Sequence, residues 1–265
     1  MKVGVFDSGL GGLTVVNAIA EVFSGADIFY IADTKYAPYG EKSQEEISKR
    51  SIAITEFLIN KYQISALIVA CNTATSASIK ILREKFSNLI VIGTEPGLKP
   101  AIENTKTRKI GVLATPATLN GDKYQILLNE LSINSKVEVY EQACAGLVEQ
   151  IENDKIKDIK TFHMLEAWLK PMIEKEVDTI VLGCTHYPLV SSVIKEIMGT
   201  NTKLIETGSA IAKRLEDLSM KNGHKNNGDL NITVFYTGEI KLKMIDIILK
   251  NWKNGGKVCI KDLHE

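Results

Sequence analysis

The strongest constraint on this chain is an echo between its two halves. Lys2-Val-Gly-Val-Phe is answered by Lys109-Ile-Gly-Val-Leu, Ser65-Ala-Leu-Ile-Val-Ala-Cys71 by Asp178-Thr-Ile-Val-Leu-Gly-Cys184, and Glu95-Pro-Gly by Glu206-Thr-Gly. The matched positions keep their order and lie 107, 113 and 111 residues apart. A nearly constant spacing needs only small insertions, so the chain reads as two similar units. Within them, short β-branched runs at residues 3–6, 28–31, 66–70, 89–92, 110–113 and 179–182 alternate with stretches of helical period. Such alternation builds parallel sheets, whose buried strands are continuous apolar runs ending in small or polar residues. The expected fold class is therefore α/β: two pseudo-symmetric domains, each a mostly parallel sheet flanked by helices.

The turn-rich segments Glu95-Pro-Gly-Leu-Lys-Pro100 and Glu206-Thr-Gly-Ser209 are where the chain would cross between units. That gives a first domain of residues 1–96 plus 210–265 and a second of residues 97–209. A polar, Gly-rich loop at 221–229 precedes an apolar run at 232–236 and a helix-like stretch at 241–252. This tail is too short for a third domain and must pack on one of the two units.

Composition excludes several classes. At 265 residues, 45% hydrophobic and 24% charged, the chain is an ordinary globular protein, not a disordered or fibrous one. Thirty-two basic residues balance thirty-two acidic ones, so no global field gathers nucleic acid or anionic membrane, and neither is expected as a partner. No run of 18 apolar residues occurs, Asp7 interrupts the N-terminal stretch, and the four cysteines are widely scattered. The expectation is a cytoplasmic protein with reduced thiols and no metal. The sequence opens directly on its first strand, so no N-terminal extension is expected that would hold an activator.

Three places concentrate chemistry. Asp7-Ser8-Gly9-Leu10-Gly11-Gly12 sets a carboxylate, a hydroxyl and a glycine turn after the first strand, where backbone amides suit an anion. It is not a dinucleotide fingerprint, because Thr14 stands where the third glycine would be. Cys71-Asn72-Thr73 and Cys184-Thr185-His186 each put a thiol at a strand's carboxyl end, just before a helix. A single such cysteine is usually a small buried hydrophobe. Two at equivalent places in a repeat would meet in one crevice from opposite sides, and helix N-termini favour thiolates. No arginine closes a phosphatase loop after Cys71, and zinc held by Cys71, Cys184 and His186 has no supporting spacing. Cys144 and Cys259 lack polar escorts and read as structural, while His163, His224 and His264 read as surface residues.

Four ordered segments carry a family resemblance. Gly4-Val-Phe-Asp-Ser-Gly-Leu-Gly-Gly-Leu-Thr-Val15, Ala32-Asp-Thr-Lys-Tyr-Ala-Pro-Tyr39-Gly40-Glu-Lys, Val69-Ala-Cys71-Asn-Thr-Ala and Leu182-Gly-Cys184-Thr-His-Tyr-Pro-Leu189 resemble the signature segments of bacterial glutamate racemases over nearly the full length. The resemblance implies two α/β domains with the active site in the cleft between them, no cofactor, a likeness to homodimers, and L-glutamate and D-glutamate as partners, with D-glutamate destined for peptidoglycan. Cys71 would face D-glutamate and Cys184 L-glutamate as proton donors and acceptors, with Asp7 and His186 taking thiol protons. Asp7, Ser8, Tyr39, Gly40, Asn72, Thr73, Thr185 and His186 would line the substrate, with Thr115 and Thr118 as helpers. The stretch from Cys144 to Glu149 departs from the family's usual Pro and aromatic before the Glu, which leaves Glu149 without an assigned role.

The implied mechanism agrees with the residues. Inverting a stereocentre needs a base on one face and an acid on the other, so two equivalent thiols on opposed repeats suit the task. Two alternatives stay open: an aspartate or other amino-acid racemase with the same thiols, and a two-lobed small-anion-binding protein whose cysteines are inert. A pyridoxal enzyme would need a Schiff-base lysine, and none of these segments presents one at a strand end.

Overall fold

A computed structural model describes residues 1–249 and 256–263. Its strands, in chain order, are β1 (Lys2–Asp7), β2 (Ala26–Ala32), β3 (Ala66–Val69), β4 (Ile90–Gly93), β5 (Lys109–Ala114), β6 (Glu138–Ala143), β7 (Thr179–Gly183), β8 (Lys203–Ile205), β9 (Leu230–Tyr236) and β10 (Val258–Asp262). Helices follow most of them, and two sheets result. One has the order β10-β9-β2-β1-β3-β4 and the other β6-β5-β7-β8. Every strand pairing in both is parallel.

The second sheet repeats four strands of the first in the same order: β2-β1-β3-β4 corresponds to β6-β5-β7-β8. The α/β class with two helix-flanked parallel sheets is as expected. The chain divides into unit 1, Met1–Glu95 with Gly208–Glu265, and unit 2, Pro96–Thr207. The tail packs on unit 1, where β9 pairs with β2 and β10 with β9. The helix within it spans Leu242–Ile248, and residues 250–252 of the expected helical stretch lie outside the described residues.

In unit 1, Phe6, Ile31, Leu67 and Val69 of the sheet are fully or almost fully buried against Ile47, Ile54 and Leu58 of the helix Gln44–Tyr62 and Ala74 and Leu82 of the helix Asn72–Lys85. Each such aliphatic side chain removed from water contributes about 1.5–3 kcal/mol. The helix Gln44–Tyr62 starts on a capping box, Ser43 with Glu46, which satisfies two otherwise orphan amides. In unit 2, Ile110, Val112 and Val181 form the matching core with Leu98 and Ala101 of the helix Leu98–Asn104. The glycines repeated at position three of β1 and β5 have a shared packing reason. A Cβ on Gly4 would come 2.8 Å from Ile64 Cδ1, and one on Gly111 would come 2.5 Å from Ile180 Cδ1 and 2.6 Å from Met172 Sδ.

Three strands escape sequence reading. β6, Glu-Val-Tyr-Glu-Gln-Ala, is an edge strand with polar residues at half its positions; β8 is three residues long; every residue of β10 is exposed. Edge strands are not buried on both sides, so they need not be continuous apolar runs.

Candidate active site

Unit 1 brings its polar residues together at the carboxyl ends of β1 and β3, which are adjacent strands. Asp7 ends β1 fully buried, and its Oδ1 accepts from Ser8 N at 2.7 Å and Ser8 Oγ at 3.3 Å. Ser8 Oγ lies 4.0 Å from Cys71 Sγ, so a chain of polar contacts runs from the Cys71 thiol through Ser8 to Asp7. Gly12 is required here: a Cβ on it would sit 2.8 Å from both Asp7 Cβ and the Tyr30 hydroxyl.

Cys71 follows β3 by two residues and is the N-cap of the helix Asn72–Lys85, where its sulfur accepts the Ala74 backbone N–H at 3.4 Å. That bond, together with the positive end of a 14-residue helix, favours sulfur in its anionic form. Asn72 and Thr73 are buried beside it, and the Asn72 side-chain Nδ2 and Oδ1 have no hydrogen-bond partner among the described residues. A buried amide with both ends unspent is costly unless it awaits a ligand.

Tyr39 and Gly40 lie on a short 3₁₀ turn after β2. Tyr39 is buried, and its hydroxyl donates to Asp33 Oδ2 at 2.6 Å. Burial first, then the Asp33 charge and hydrogen bond, raises its phenol well above the ordinary range, so it stays protonated. Asp33 is itself fully buried and clamped by Arg50, with Nε 2.8 Å from Oδ2 and Nη2 2.7 Å from Oδ1. This clamp was not apparent from the sequence: Asp33 and Arg50 are 17 residues apart, on the loop after β2 and in mid-helix.

Unit 2 gathers its residues at the carboxyl ends of β5, β6 and β7. Cys184, 8% exposed, follows β7 directly, and its Sγ lies 3.6 Å from Nδ1 of the buried His186. Thr185 Oγ1 is 3.4 Å from the same nitrogen. The other ring nitrogen, Nε2, lies 2.6 Å from Glu152 Oε1. Burial alone would lower the His186 pKa; the hydrogen bonds to Cys184 and Glu152 and the charges of both outweigh it, so the imidazole is raised well above its usual value. The imidazolium so favoured stands between the Cys184 sulfur and the Glu152 carboxylate.

Glu152, the carboxylate beside His186, is not singled out by the sequence. It ends the helix Leu147–Glu152, while Glu149, one turn earlier, is exposed. The signal was present as two carboxylates three apart on one short helix, but only the fold determines which of them meets His186. Thr115 and Thr118 follow β5, with hydroxyls 2.9 Å apart, and Thr115 caps the short helix Pro116–Leu119. Cys144 is buried after β6, where burial and then the Cys184 charge push its thiol up to about 12.

Three smaller readings need correction or a limit. Cys259 is exposed on the edge strand β10, so it fills no core and is not structural. His224 is half-buried rather than on the surface, with Nε2 2.7 Å from the Ser24 carbonyl and its ring 4.7 Å from that of Phe23, because the loop 221–229 folds back on the end of the helix Leu13–Val22. His163 is exposed, and His264 lies outside the described residues. Among the described residues no cluster of three or more His, Cys, Asp or Glu side chains is arranged to hold a metal, and no helix is long and apolar enough to cross a membrane.

Residues 4–215 match the Asp/Glu/hydantoin racemase family. A glutamate racemase of Aliarcobacter butzleri is 64% identical over 251 residues, covering 95% of this chain and 96% of that protein. The crystal structure of a glutamate racemase isoform from Bacillus anthracis aligns with a TM-score of 0.84 at 33% identity, over 99% of this chain and 97% of that one. That of the Escherichia coli glutamate racemase, in complex with L-glutamate and an activator, gives 0.82 at 30% identity, over 97% of both chains. The chain belongs to the Asp/Glu/hydantoin racemase family and, within it, to the glutamate racemases.

Proposed function

We propose that this chain interconverts L-glutamate and D-glutamate by proton transfer between Cys71 and Cys184, without a cofactor. The observation that carries the reading is the equivalence of the two thiols. Each stands at the carboxyl end of the corresponding strand, β3 or β7, in sheets of the same strand order, and each has its own polar partners.

In the L-to-D direction the Cys184 thiolate removes the α-proton, and the electron pair left on carbon is delocalised into the α-carboxylate. The Cys71 thiol then delivers its proton to the opposite face, giving D-glutamate and a Cys71 thiolate. Exchange with solvent resets the pair. An unperturbed thiol is only a few per cent ionised near neutrality, so a base needs help. His186, held by Glu152, supplies a cation beside Cys184, and the helix N-terminus and the Ser8–Asp7 pair serve Cys71. Amide and hydroxyl donors from Ser8, Asn72, Thr73 and Thr185 would stabilise the developing charge. Tyr39, Gly40, Thr115 and Thr118 complete the proposed substrate lining. The product serves peptidoglycan synthesis in the cytoplasm, and the working form is a homodimer, which sedimentation equilibrium at micromolar concentration tests.

The deciding experiment runs L-glutamate in deuterated water with no added cofactor. Two opposed thiols place solvent deuterium on the α-carbon of the D product while the remaining L-glutamate stays largely protiated at early time. D-glutamate that keeps its protium would mean one base swinging between faces. Absence of turnover, with glutamate still bound, would favour the small-anion-binding alternative.

A further inference from the structure

We propose that unit 1 carries a second ligand site, for an anion with an aromatic or branched aliphatic body, whose occupant slows turnover by drawing Arg50 away from Asp33. The effect on turnover rests on the racemase reading; the binding does not. A cavity of about 540 Å³ opens between the helix Gln44–Tyr62 and the carboxyl ends of β2, β9 and β10. That is room for a molecule much larger than glutamate. One wall is apolar: Ile31, Ala53, Ile54, Phe57 and Leu263. The other carries Lys35, Arg50 and Thr237.

The charges of the lining leave a positive remainder. Glu56 is paired with Lys85 at 2.7 Å, and Asp33 is clamped by Arg50. Lys35 has no carboxylate partner among the described residues, and Arg50 spends Nε and Nη2 on Asp33. The Arg50 guanidinium also packs over the Tyr36 ring, 4.2 Å from its centroid, and offers a flat cationic face to an aromatic acid. An anion seated there competes with Asp33 for Arg50. Asp33 holds the Tyr39 hydroxyl and accepts from Thr237 Oγ1 at 3.0 Å, so loosening the clamp releases Tyr39.

The probe is 1-anilinonaphthalene-8-sulfonate, an aryl sulfonate, titrated by fluorescence into the full-length protein. One saturable site is expected, undisplaced by saturating D-glutamate. Binding weakens at least tenfold in Lys35→Glu, which reverses the unpaired charge, and in Ala53→Trp, which fills the cavity. Ala53→Trp keeps basal racemisation. Bound probe lowers kcat at least twofold. Should Ala53→Trp misfold, the exposed Lys35→Glu change alone decides. Displacement by D-glutamate, equal binding to wild type and Lys35→Glu, or binding without any fall in kcat would each overturn the proposal. If the protein fails to racemise glutamate but binds the probe in this pattern, the site stands and only the proposed activity falls.

Discussion

The two thiol-bearing strand ends share a backbone plan and differ in how they manage protons. Cys71 caps a long helix, takes a backbone N–H on its sulfur and reaches a buried carboxylate through Ser8. Cys184 is followed by a 3₁₀ turn instead, and its neighbour is an imidazole backed by Glu152. The two sheets share a strand order, because a sheet cannot be rewired without losing its core, whereas the loops after the strands are free to differ. One end relies on fixed backbone dipoles and the other on a titrating side chain. The kcat values of the two directions therefore should not respond alike to pH or to mutation.

The largest effect expected is loss of the thiols themselves. Cys71→Ala and Cys184→Ala should each reduce racemisation below about a hundredth of wild type, the least that removal of a general base usually costs, while circular dichroism shows a folded chain. Residual turnover above that in either variant would break the equivalence of the two ends. Next comes Glu152→Gln, which leaves His186 its hydrogen bond but takes away the charge. Turnover from L-glutamate should fall by about tenfold or more, since general acid–base partners are worth about a hundredfold upward when lost entirely. The limb of the pH profile that reports His186 should also move to lower pH, because Glu152 is one of the groups holding that pKa up. Asp7→Asn, at the other end, should leave that limb in place.

Asp33→Asn sharpens the contrast on the side of unit 1. It removes the charge that Arg50 and Tyr39 both meet, and hydrogen bonds to charged groups are worth about 1.5–3 kcal/mol, so a loss of about 2 kcal/mol in urea unfolding is expected. A change under about 0.5 kcal/mol would mean the clamp is not structural. The smallest effect concerns His186 and pH. Its folded pKa is raised above the usual value of about 6.5, so its contribution to stability is fully present below about pH 6.5 and is lost as pH rises through the raised value. Thermal melts of His186→Asn against wild type should therefore show a deficit that is greatest near pH 6 and shrinks toward alkaline pH. A deficit growing with pH would reverse the assignment.

What the sequence determined by itself was local and periodic. Buried parallel strands must be continuous apolar runs, so β1, β3, β5 and β7 are legible, and a carboxyl-end cysteine after each of two matched runs marks Cys71 and Cys184 as a pair. The His186 partnership with Cys184 was legible for the same reason, being two residues away on one turn. Only the tertiary structure decided which distant groups meet. Arg50 reaches Asp33 because a helix face packs on the sheet, and Glu152 rather than Glu149 reaches His186 because it is the last residue of its helix, 34 positions from its partner. Neither leaves a period in the sequence. Long-range polar pairs depend on where whole elements pack, and that is set by the burial of apolar surface, which carries no direction of its own.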